Sequence, residues 1–297
     1  MASTLAEQLG FAADARVAIV HCDDIGMCRA ANDGAFEALA HGPATCGSLM
    51  VPCPAFDAAA ERARALPGID LGVHLTLNAE WPGFRWGPVA GARAVPSLLD
   101  AEGGLLRTTQ ETLARAKPEH VEIELRAQIE RAIKAGIDVT HLDAHMGTAL
   151  LPPFGSLYAK LADVYRLPVF AVRPDEAALR AAGVPGSGAF FAALAQALVA
   201  AGVPILDGFD ANSLHFAPGE GERHNLARLR ALRPGINYLI CHPAQAGEEL
   251  SAICPDAHMR DFERGFYGGP AGRRALEAEG IETLGMRALR DLMRGAA

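Results

Sequence analysis

Aspartate and histidine residues recur in this sequence where short apolar runs come to an end. The residues are Asp23 and Asp24 after VAIVHC, His74 in DLGVHL, Asp143 and His145 in VTHLDAH, and His242 after YLIC. If each run is a strand of a parallel barrel, the carboxyl ends of the strands open on one face, where barrels of this kind build their active sites. Side chains far apart in the sequence would therefore converge.

Each motif alone also has an ordinary structural explanation. An Asp-Asp pair after a strand is often a turn and helix-capping signal, because Asp accepts backbone N–H bonds, and a lone histidine such as His74 is often a hydrogen-bonded core residue. The HxDxH motif of His141, Asp143 and His145 is more specific, since alternate residues of a strand point to one side. Four such motifs at strand ends together indicate a divalent-cation site with imidazole and carboxylate ligands.

A metal site of this composition predicts hydrolytic chemistry. Two His and one Asp leave positions open for water and substrate, as a catalytic centre requires. The metal would acidify its bound water, and a carboxylate that is not a ligand would take the proton. The adjacent residues Asp23 and Asp24 suit these two roles, because neighbouring side chains point in different directions.

Strand-like and helix-like segments alternate along most of the chain, which predicts an α/β fold of strand-helix units around a parallel sheet. The predicted strands are residues 17–22, 46–51, 69–75, 139–143, 169–172, 205–209, 238–242 and 281–284. The predicted helices are residues 30–40, 56–65, 119–135, 190–201 and 223–232. We expect a single barrel-sized domain over residues 1–297.

Two stretches are rich in Gly and Pro, and the first of them breaks this alternation. Residues 78–109 hold both tryptophans, Trp81 and Trp86, and a loop of this length is typical of a lid or binding loop. Trp81, Phe84 and Trp86 could stack on a sugar ring or pack back on the barrel, and both interpretations stay open. A second such stretch, residues 244–272, follows the seventh predicted strand.

Composition restricts the classes of partner. The chain has 297 residues, 50% of them hydrophobic, and a formal net charge of -8, so it lacks the basic surface that binding to nucleic acid requires. It contains no apolar run long enough to span a membrane and no signal-peptide pattern, from which we expect a cytoplasmic protein. Its six scattered cysteines, Cys22 and Cys241 among them, are expected to be reduced and mostly packing thiols.

Taken together, the motifs resemble those of the YdjC-like carbohydrate deacetylases, which belong to the polysaccharide deacetylase superfamily and remove N-acetyl groups from small amino sugars. The resemblance rests on HCDDIGM, GVHLTL and HLDAH, and it continues through VPSLLDAEGGL, ELRAQIERAIKAGI, LPVFAVR, ICHPA and EGIETLGMRAL, in that order. It covers nearly the whole chain. It implies a distorted TIM-like (β/α) barrel with about seven parallel strands and an active site at their carboxyl ends.

The resemblance also implies roles for individual residues. One divalent ion, Zn²⁺ or Mg²⁺, would be held by Asp24, His74 and His145, with Asp23 as the catalytic base and His242 as the acid that protonates the leaving amine. The expected substrate is a small N-acetylated sugar, and a homodimer is the expected assembly if one is formed. Candidate substrate contacts are Asp143, Arg173, Trp81, Trp86 and His215.

Two departures from the family pattern lie beside these residues. Met146 and Gly147 follow HLDAH where the family often has polar or imidazole groups, and His21-Cys22 precede the Asp-Asp pair in place of Asn-Ala. We expect them to leave the ligands intact and to admit a different acyl group or amide. Two alternatives remain open: a metal-dependent phosphoesterase or amidohydrolase on a similar barrel, and a catalytically silent carbohydrate-binding relative.

Overall fold

A parallel sheet forms the centre of the fold, and its longest strand is the run RVAIVHCDDI. The structure is a computed structural model that describes residues 3–173 and 187–295. Within these residues the sheet has seven strands: β1 (Arg16–Ile25), β2 (Cys46–Leu49), β3 (Leu71–Leu75), β4 (Val139–Ala144), β5 (Gly208–Asp210), β6 (Gly235–Cys241) and β7 (Ile281–Thr283). The strand order is β4-β3-β2-β1-β6-β5, and β7 also pairs with β1.

The side chains of strand β1 are buried on both faces of the sheet. Val17 and Ile19 pack into one hydrophobic cluster, whereas Ala18 and Val20 pack into the other. Successive side chains of a strand point to opposite faces, so a continuous apolar run is what a parallel strand needs when both of its faces are covered. The four side chains have no exposed surface.

Helices connect most of the strands and cover the outside of the sheet. They are α1 (Leu5–Gln8), α2 (Arg29–His41), α3 (Phe56–Arg64), α4 (Thr109–Arg115), α5 (Pro118–Lys134), α6 (Gly155–Tyr165), α7 (Gly188–Ala200), α8 (Gly221–Arg230), α9 (Glu248–Ile253), α10 (Ala257–Tyr267), α11 (Pro270–Ala278) and α12 (Met286–Arg294). In the part of the chain that the structure describes, no helix has the length and apolar character to cross a membrane.

The sheet curls into a distorted barrel, which confirms the predicted fold class. The predicted strand at residues 169–172 is reduced to single parallel bridges, from Val169 to Leu142 of β4 and from Val172 to Leu206 just before β5. These bridges carry backbone pairing from β4 around to the other edge of the sheet. The remaining predicted strands form with their ends shifted by a few residues.

The two stretches rich in Gly and Pro differ in structure. Residues 78–108 contain turns and irregular segments, a 3₁₀ turn at Pro96–Leu98 and an antiparallel bridge between Leu99 and Leu105, and α4 begins at Thr109. Residues 244–272, in contrast, hold α9, α10 and the start of α11. We predicted no helix within residues 244–272, whereas in the structure Gly247, Gly268, Gly269 and Pro270 lie at helix ends, where these residues are favoured.

Helix α2 lies so close to the chain that follows β6 that Gly34 has no room for a side chain. A Cβ atom at Gly34 would lie 2.5 Å from the Cα atom of Ala244. We expect Gly34→Ala to lower the free energy of unfolding by about 1–3 kcal/mol, because the backbone must move. Urea denaturation would measure this change.

Gly265, on the exposed face of α10, is the matched control, because nothing lies within 4 Å of its added Cβ atom. Gly265→Ala should leave stability unchanged or raise it by up to about 1 kcal/mol, as expected for an exposed helix position. Equal effects of the two substitutions would contradict the close approach at Gly34.

Candidate metal centre and active site

The structure brings together the Asp and His residues that the sequence placed at strand ends. Asp23 and Asp24 lie near the end of β1, His74 in β3 and Asp143 in β4, and His145 begins the 3₁₀ turn His145–Leu150 that follows β4. All five side chains are buried. Their convergence follows from the parallel arrangement of the strands, whose carboxyl ends lie at one end of the barrel.

Asp24 has an unusual backbone conformation, and it lies where the pairing register of β1 shifts. Its φ angle is +64°, in the left-handed region that Asp tolerates better than most residues. The pairing of β1 with β2 shifts between Cys22 and Ile25, on either side of the Asp-Asp pair. The irregular strand end therefore lets consecutive aspartates approach the same cluster.

Asp24, His74 and His145 form a set of three possible metal ligands. Asp24 Oδ1 lies 3.6 Å from His74 Nε2 and 3.4 Å from His145 Nδ1. Two ligand atoms bound to one ion at about 2.0–2.1 Å in tetrahedral geometry would be roughly 3.3 Å apart, close to these distances. Asp24 Oδ1 is also buried and has no hydrogen-bond partner. These residues fit a divalent cation, which would supply the missing partner of this oxygen.

Carboxylates hold the two candidate ligand histidines, His74 and His145, by their other ring nitrogens. His74 Nδ1 lies 2.9 Å from Asp143 Oδ1, and His145 Nε2 lies 3.0 Å from Glu80 Oε2. Ser48 Oγ donates a hydrogen bond of 3.0 Å to Asp143 Oδ2. Carboxylates in these positions orient a metal-ligating imidazole and increase its basicity. The structure therefore places Asp143, which we predicted as a substrate contact, behind His74.

Arg260, on α10, holds the other oxygen of Asp24. Its Nη1 donates to Asp24 Oδ2 at 2.7 Å, and its Nε donates to Asp256 at 3.0 Å. Burial alone would raise the pKa of Asp24, but the positive charge of Arg260 holds that pKa well below its usual value. Asp24 is therefore an ionised carboxylate with one oxygen fixed and the other directed at the two histidines.

Nearby carboxylates raise the pKa values of the two histidines. Burial opposes a charge on either ring, but Asp143 raises the pKa of His74 to about 8. Against the same opposition, Glu80 and Asp24 raise the pKa of His145 to about 10. At neutral pH both rings are thus protonated on both nitrogens and positively charged in the metal-free protein. A metal ion must displace one proton from each ring when it binds.

Asp23 is anchored from behind by a chain of buried hydrogen bonds. Its Oδ1 lies 2.6 Å from His21 Nδ1, and His21 Nε2 lies 2.8 Å from His141 Nε2. Thr140 Oγ1 lies 2.9 Å from His141 Nδ1 and donates to Asp70. Burial lowers the pKa of His141 to about 3, so this ring is neutral. His141 therefore supports Asp23 through His21, and it lies outside the group of Asp24, His74 and His145.

The second oxygen of Asp23 faces the cluster. Asp23 Oδ2 lies 3.9 Å from His74 Nε2 and 3.8 Å from His242 Nε2. His242 follows β6 and is anchored at Nδ1 by Ser213 Oγ, 2.9 Å away. Asp23 Oδ2 therefore lies near an imidazole nitrogen of each of these two histidines.

The other predicted substrate contacts are less well placed. Trp86 is buried: its Nε1 donates to the carbonyl oxygen of Asn78, and its ring lies edge-on to His145 at 6.4 Å. Trp81 and Phe84 are partly buried against the hydrophobic core. These contacts favour packing of residues 78–109 on the barrel.

Arg173 and His215 lie at the surface. The Arg173 side chain is 69% exposed and pairs with Asp207 at 3.4 Å. His215 is also exposed. The sulfur atoms of Cys22 and Cys241 are 3.8 Å apart and buried, as expected for packing thiols, and burial raises the pKa of Cys241 well above its usual value.

Residues that the sequence analysis did not single out also contact the cluster. Glu80, Arg260, Ser213 and Glu263 touch His145, Asp24 or His242 directly. Glu80 lies in the loop of residues 78–109, which has no hydrophobic periodicity, and Ser213 lies two positions before the predicted His215 in NSLHF. Arg260 and Glu263 share a helix face with buried Tyr267, a spacing that would have indicated a buried charge network if a helix had been predicted there.

The fold and the cluster define a (β/α)-barrel protein with an Asp/His centre at its strand ends, and comparison with known proteins assigns its family. The chain belongs to the YdjC-like protein family, whose family model matches residues 17–278. This confirms the family resemblance found in the sequence.

Several proteins are similar to this chain over most of its length. A carbohydrate deacetylase of Thermus thermophilus is 36% identical over 289 residues, which cover 97% of this chain and 99% of that protein. A carbohydrate deacetylase of Thermoanaerobacter pseudethanolicus is 25% identical over 83% of this chain and 88% of that protein. Among solved structures, a putative cellobiose-phosphate cleavage protein of Enterococcus faecalis has the same fold, with a TM-score of 0.77 at 23% identity over 93% of this chain and 99% of that one.

The raised pKa values of His74 and His145 predict how the binding of Zn²⁺ depends on pH. Each ring must lose its proton to become a ligand, so lowering the pH weakens binding. Below pH 8, each displaced proton should make the affinity rise about tenfold for each pH unit. Because two protons are displaced, the rise should reach about a hundredfold for each pH unit. Titration calorimetry between pH 6 and 8 would measure it, and an affinity independent of pH would contradict the proton displacement.

The contact between Glu80 and His145 predicts a role for Glu80 in metal affinity. Glu80→Gln removes the carboxylate that orients the ring, and we expect a 10- to 100-fold weaker binding of Zn²⁺. Glu102→Gln, at an exposed position of the same loop, is the matched control and should bind Zn²⁺ like the wild type. Equal affinities of the two variants would show that Glu80 does not support the site.

Proposed function

We propose that this chain is a metal-dependent hydrolase that removes an N-acetyl group from a small carbohydrate. The observation that carries the proposal is Asp24 Oδ1, a buried oxygen without a hydrogen-bond partner that faces ring nitrogens of His74 and His145. The relatives that match nearly the full chain and are named carbohydrate deacetylases supply the reaction and the substrate class.

Asp24, His74 and His145 would hold the ion, and the chain supplies the acid and base groups around it. When bound, a divalent ion polarises the acetyl carbonyl and acidifies water. Asp23 is held at Oδ1 by His21, which leaves Oδ2 turned towards the cluster to accept a proton from water. His242 Nε2 lies 3.8 Å from Asp23 Oδ2, on the path by which a proton can reach the departing nitrogen.

Buried surroundings favour this division of roles. His21 bonds Asp23 Oδ1, and Ser48 bonds Asp143 Oδ2. These bonds fix the orientation of both carboxylates before a substrate enters. Preorganised groups of this kind lower the barrier because they are already oriented before the reaction begins. Trp86, packed edge-on to His145, adds an apolar wall that limits access of bulk water.

A substrate screen tests the proposed reaction. Zinc-loaded protein should release acetate from N-acetylglucosamine, diacetylchitobiose or another N-acyl compound, measured by an acetate assay. p-Nitrophenyl phosphate, included in the same screen, represents the phosphoesterase alternative. Phosphate release without acetate release would replace the proposal, and no turnover of any compound by zinc-loaded protein would favour the silent carbohydrate-binding relative.

The base assignment predicts a selective effect of Asp23→Asn. The substitution keeps the size of the side chain but removes its basicity, and we expect kcat to fall by about 10²–10⁴. Zinc affinity should stay within a few-fold of the wild-type value, because Asp23 is not in the proposed ligand set. Loss of zinc together with activity would instead make Asp23 a ligand.

A further inference from the structure

His242 is held on the side away from Asp23 by two buried residues that the proposed reaction does not use. Ser213 Oγ lies 2.9 Å from His242 Nδ1 and donates to Glu263 Oε2 at 2.6 Å. Glu263 Oε2 also accepts the backbone N–H of His242 at 2.7 Å. Ser213 and Glu263 have no exposed surface, so water does not compete for these bonds.

Glu263 acts as a hydrogen-bond acceptor at both of its oxygens. Its Oε1 accepts from Arg228 Nη1 at 3.1 Å, and its Oε2 accepts from Ser213 and from the backbone of His242. Arg228 is itself buried and donates through Nε to Asp210 at 2.7 Å. Because donors face both oxygens, this carboxylate acts only as a hydrogen-bond acceptor here.

This arrangement decides which nitrogen of His242 carries the proton. A serine hydroxyl has one hydrogen, and the 2.6 Å bond to Glu263 uses it. Ser213 Oγ can then only accept at its 2.9 Å contact with His242, so Nδ1 must be the donor. In the neutral ring the other nitrogen, Nε2, is therefore unprotonated, and it is the nitrogen 3.8 Å from Asp23 Oδ2.

We propose that Ser213 and Glu263 are positioning residues that hold His242 as the Nδ1–H tautomer, so that Nε2 serves as a free acceptor that passes the proton of the attacking water to the leaving nitrogen. This inference rests on the proposed function. The segment NSLHF would then contribute to the site through Ser213, which contacts His242, whereas His215 of the same segment lies at the surface.

The proton transfers balance with the reaction. Water forms a bond to the carbonyl carbon and gives one proton to Asp23 Oδ2, from which it moves to His242 Nε2. The bond from carbon to nitrogen then breaks, its electron pair goes to nitrogen, and nitrogen takes the proton from Nε2. Amide and water thus become a carboxylic acid and an amine, and Asp23 and His242 return to their starting states. The acid then gives the second proton of the water to the amine, which leaves a carboxylate and an ammonium group. Burial lowers the pKa of His242, which keeps the resting ring neutral and ready to accept.

Nuclear magnetic resonance of the zinc-loaded full chain tests the tautomer directly. In ¹⁵N-labelled wild type, the long-range proton–nitrogen correlations of His242, assigned by their loss in His242→Gln, should show a protonated Nδ1 and an unprotonated Nε2. Ser213→Ala should lose this pattern and show the Nε2–H form or a mixture. Ser213→Thr, which keeps the hydroxyl, should retain it. A wild-type ring protonated at Nε2 overturns the proposal, even if Ser213→Ala fails to fold.

Kinetics separate positioning from a general structural role. We expect kcat of Ser213→Ala to fall at least tenfold with KM within about twofold, and Ser213→Thr to recover most of it. Ser251→Ala, at an exposed position of α9, is the control and should behave as wild type. Unchanged tautomer and unchanged kcat in Ser213→Ala contradict the inference. Absence of acyl release in the wild type would overturn the proposed function alone, because the tautomer is measured without substrate.

Discussion

Asp23, Asp24 and Asp143 are buried close together at the carboxyl ends of β1 and β4, and the rest of the site depends on how their charges are compensated. A buried carboxylate without a partner costs several kcal/mol. Arg260 provides a permanent positive charge to Asp24, but on one oxygen only. The protons on His74 balance part of the remainder in the metal-free protein, and a divalent cation would replace them. The fold therefore bears a cost that binding of the proposed cation would relieve.

Helix α10 links this charge balance to the reactive groups. Arg260 and Glu263 lie one turn apart on its buried face, and they reach Asp24 and the backbone of His242 respectively. The same face continues to Tyr267, whose hydroxyl donates to Asn225 of α8. One helix thus holds a proposed metal ligand and the proposed acid in a fixed relation, although they belong to different strands.

Much of this arrangement could be predicted from the sequence, for a physical reason. A parallel strand covered on both faces must be an apolar run, and a polar group at its carboxyl end stands out against it, as His74 does in DLGVHL. The same contrast revealed Asp24 and His145. The single bridges at residues 169–172 gave no such contrast, since bridging and full pairing need the same apolar residues.

Partners far along the chain could not be found in this way. Arg260 is 236 residues from Asp24, and Glu80 is 65 residues from His145, so that only the folded chain shows the contacts. The Gly and Pro residues around α10 concealed a helix whose inward-facing Arg260 and Glu263 would otherwise have indicated a buried charge network. The proposed tautomer of His242 follows from the hydrogen bond that Ser213 donates to Glu263, and the sequence does not show this bond.

Anomalous diffraction from crystals grown with Zn²⁺ tests most directly whether Asp24, His74 and His145 hold one divalent cation. We predict a single strong zinc peak in the site at about 2.0–2.2 Å from Asp24 Oδ1, His74 Nε2 and His145 Nδ1. A peak bound instead through Asp23 or His21, or a fully ordered site with no zinc peak, would contradict the account.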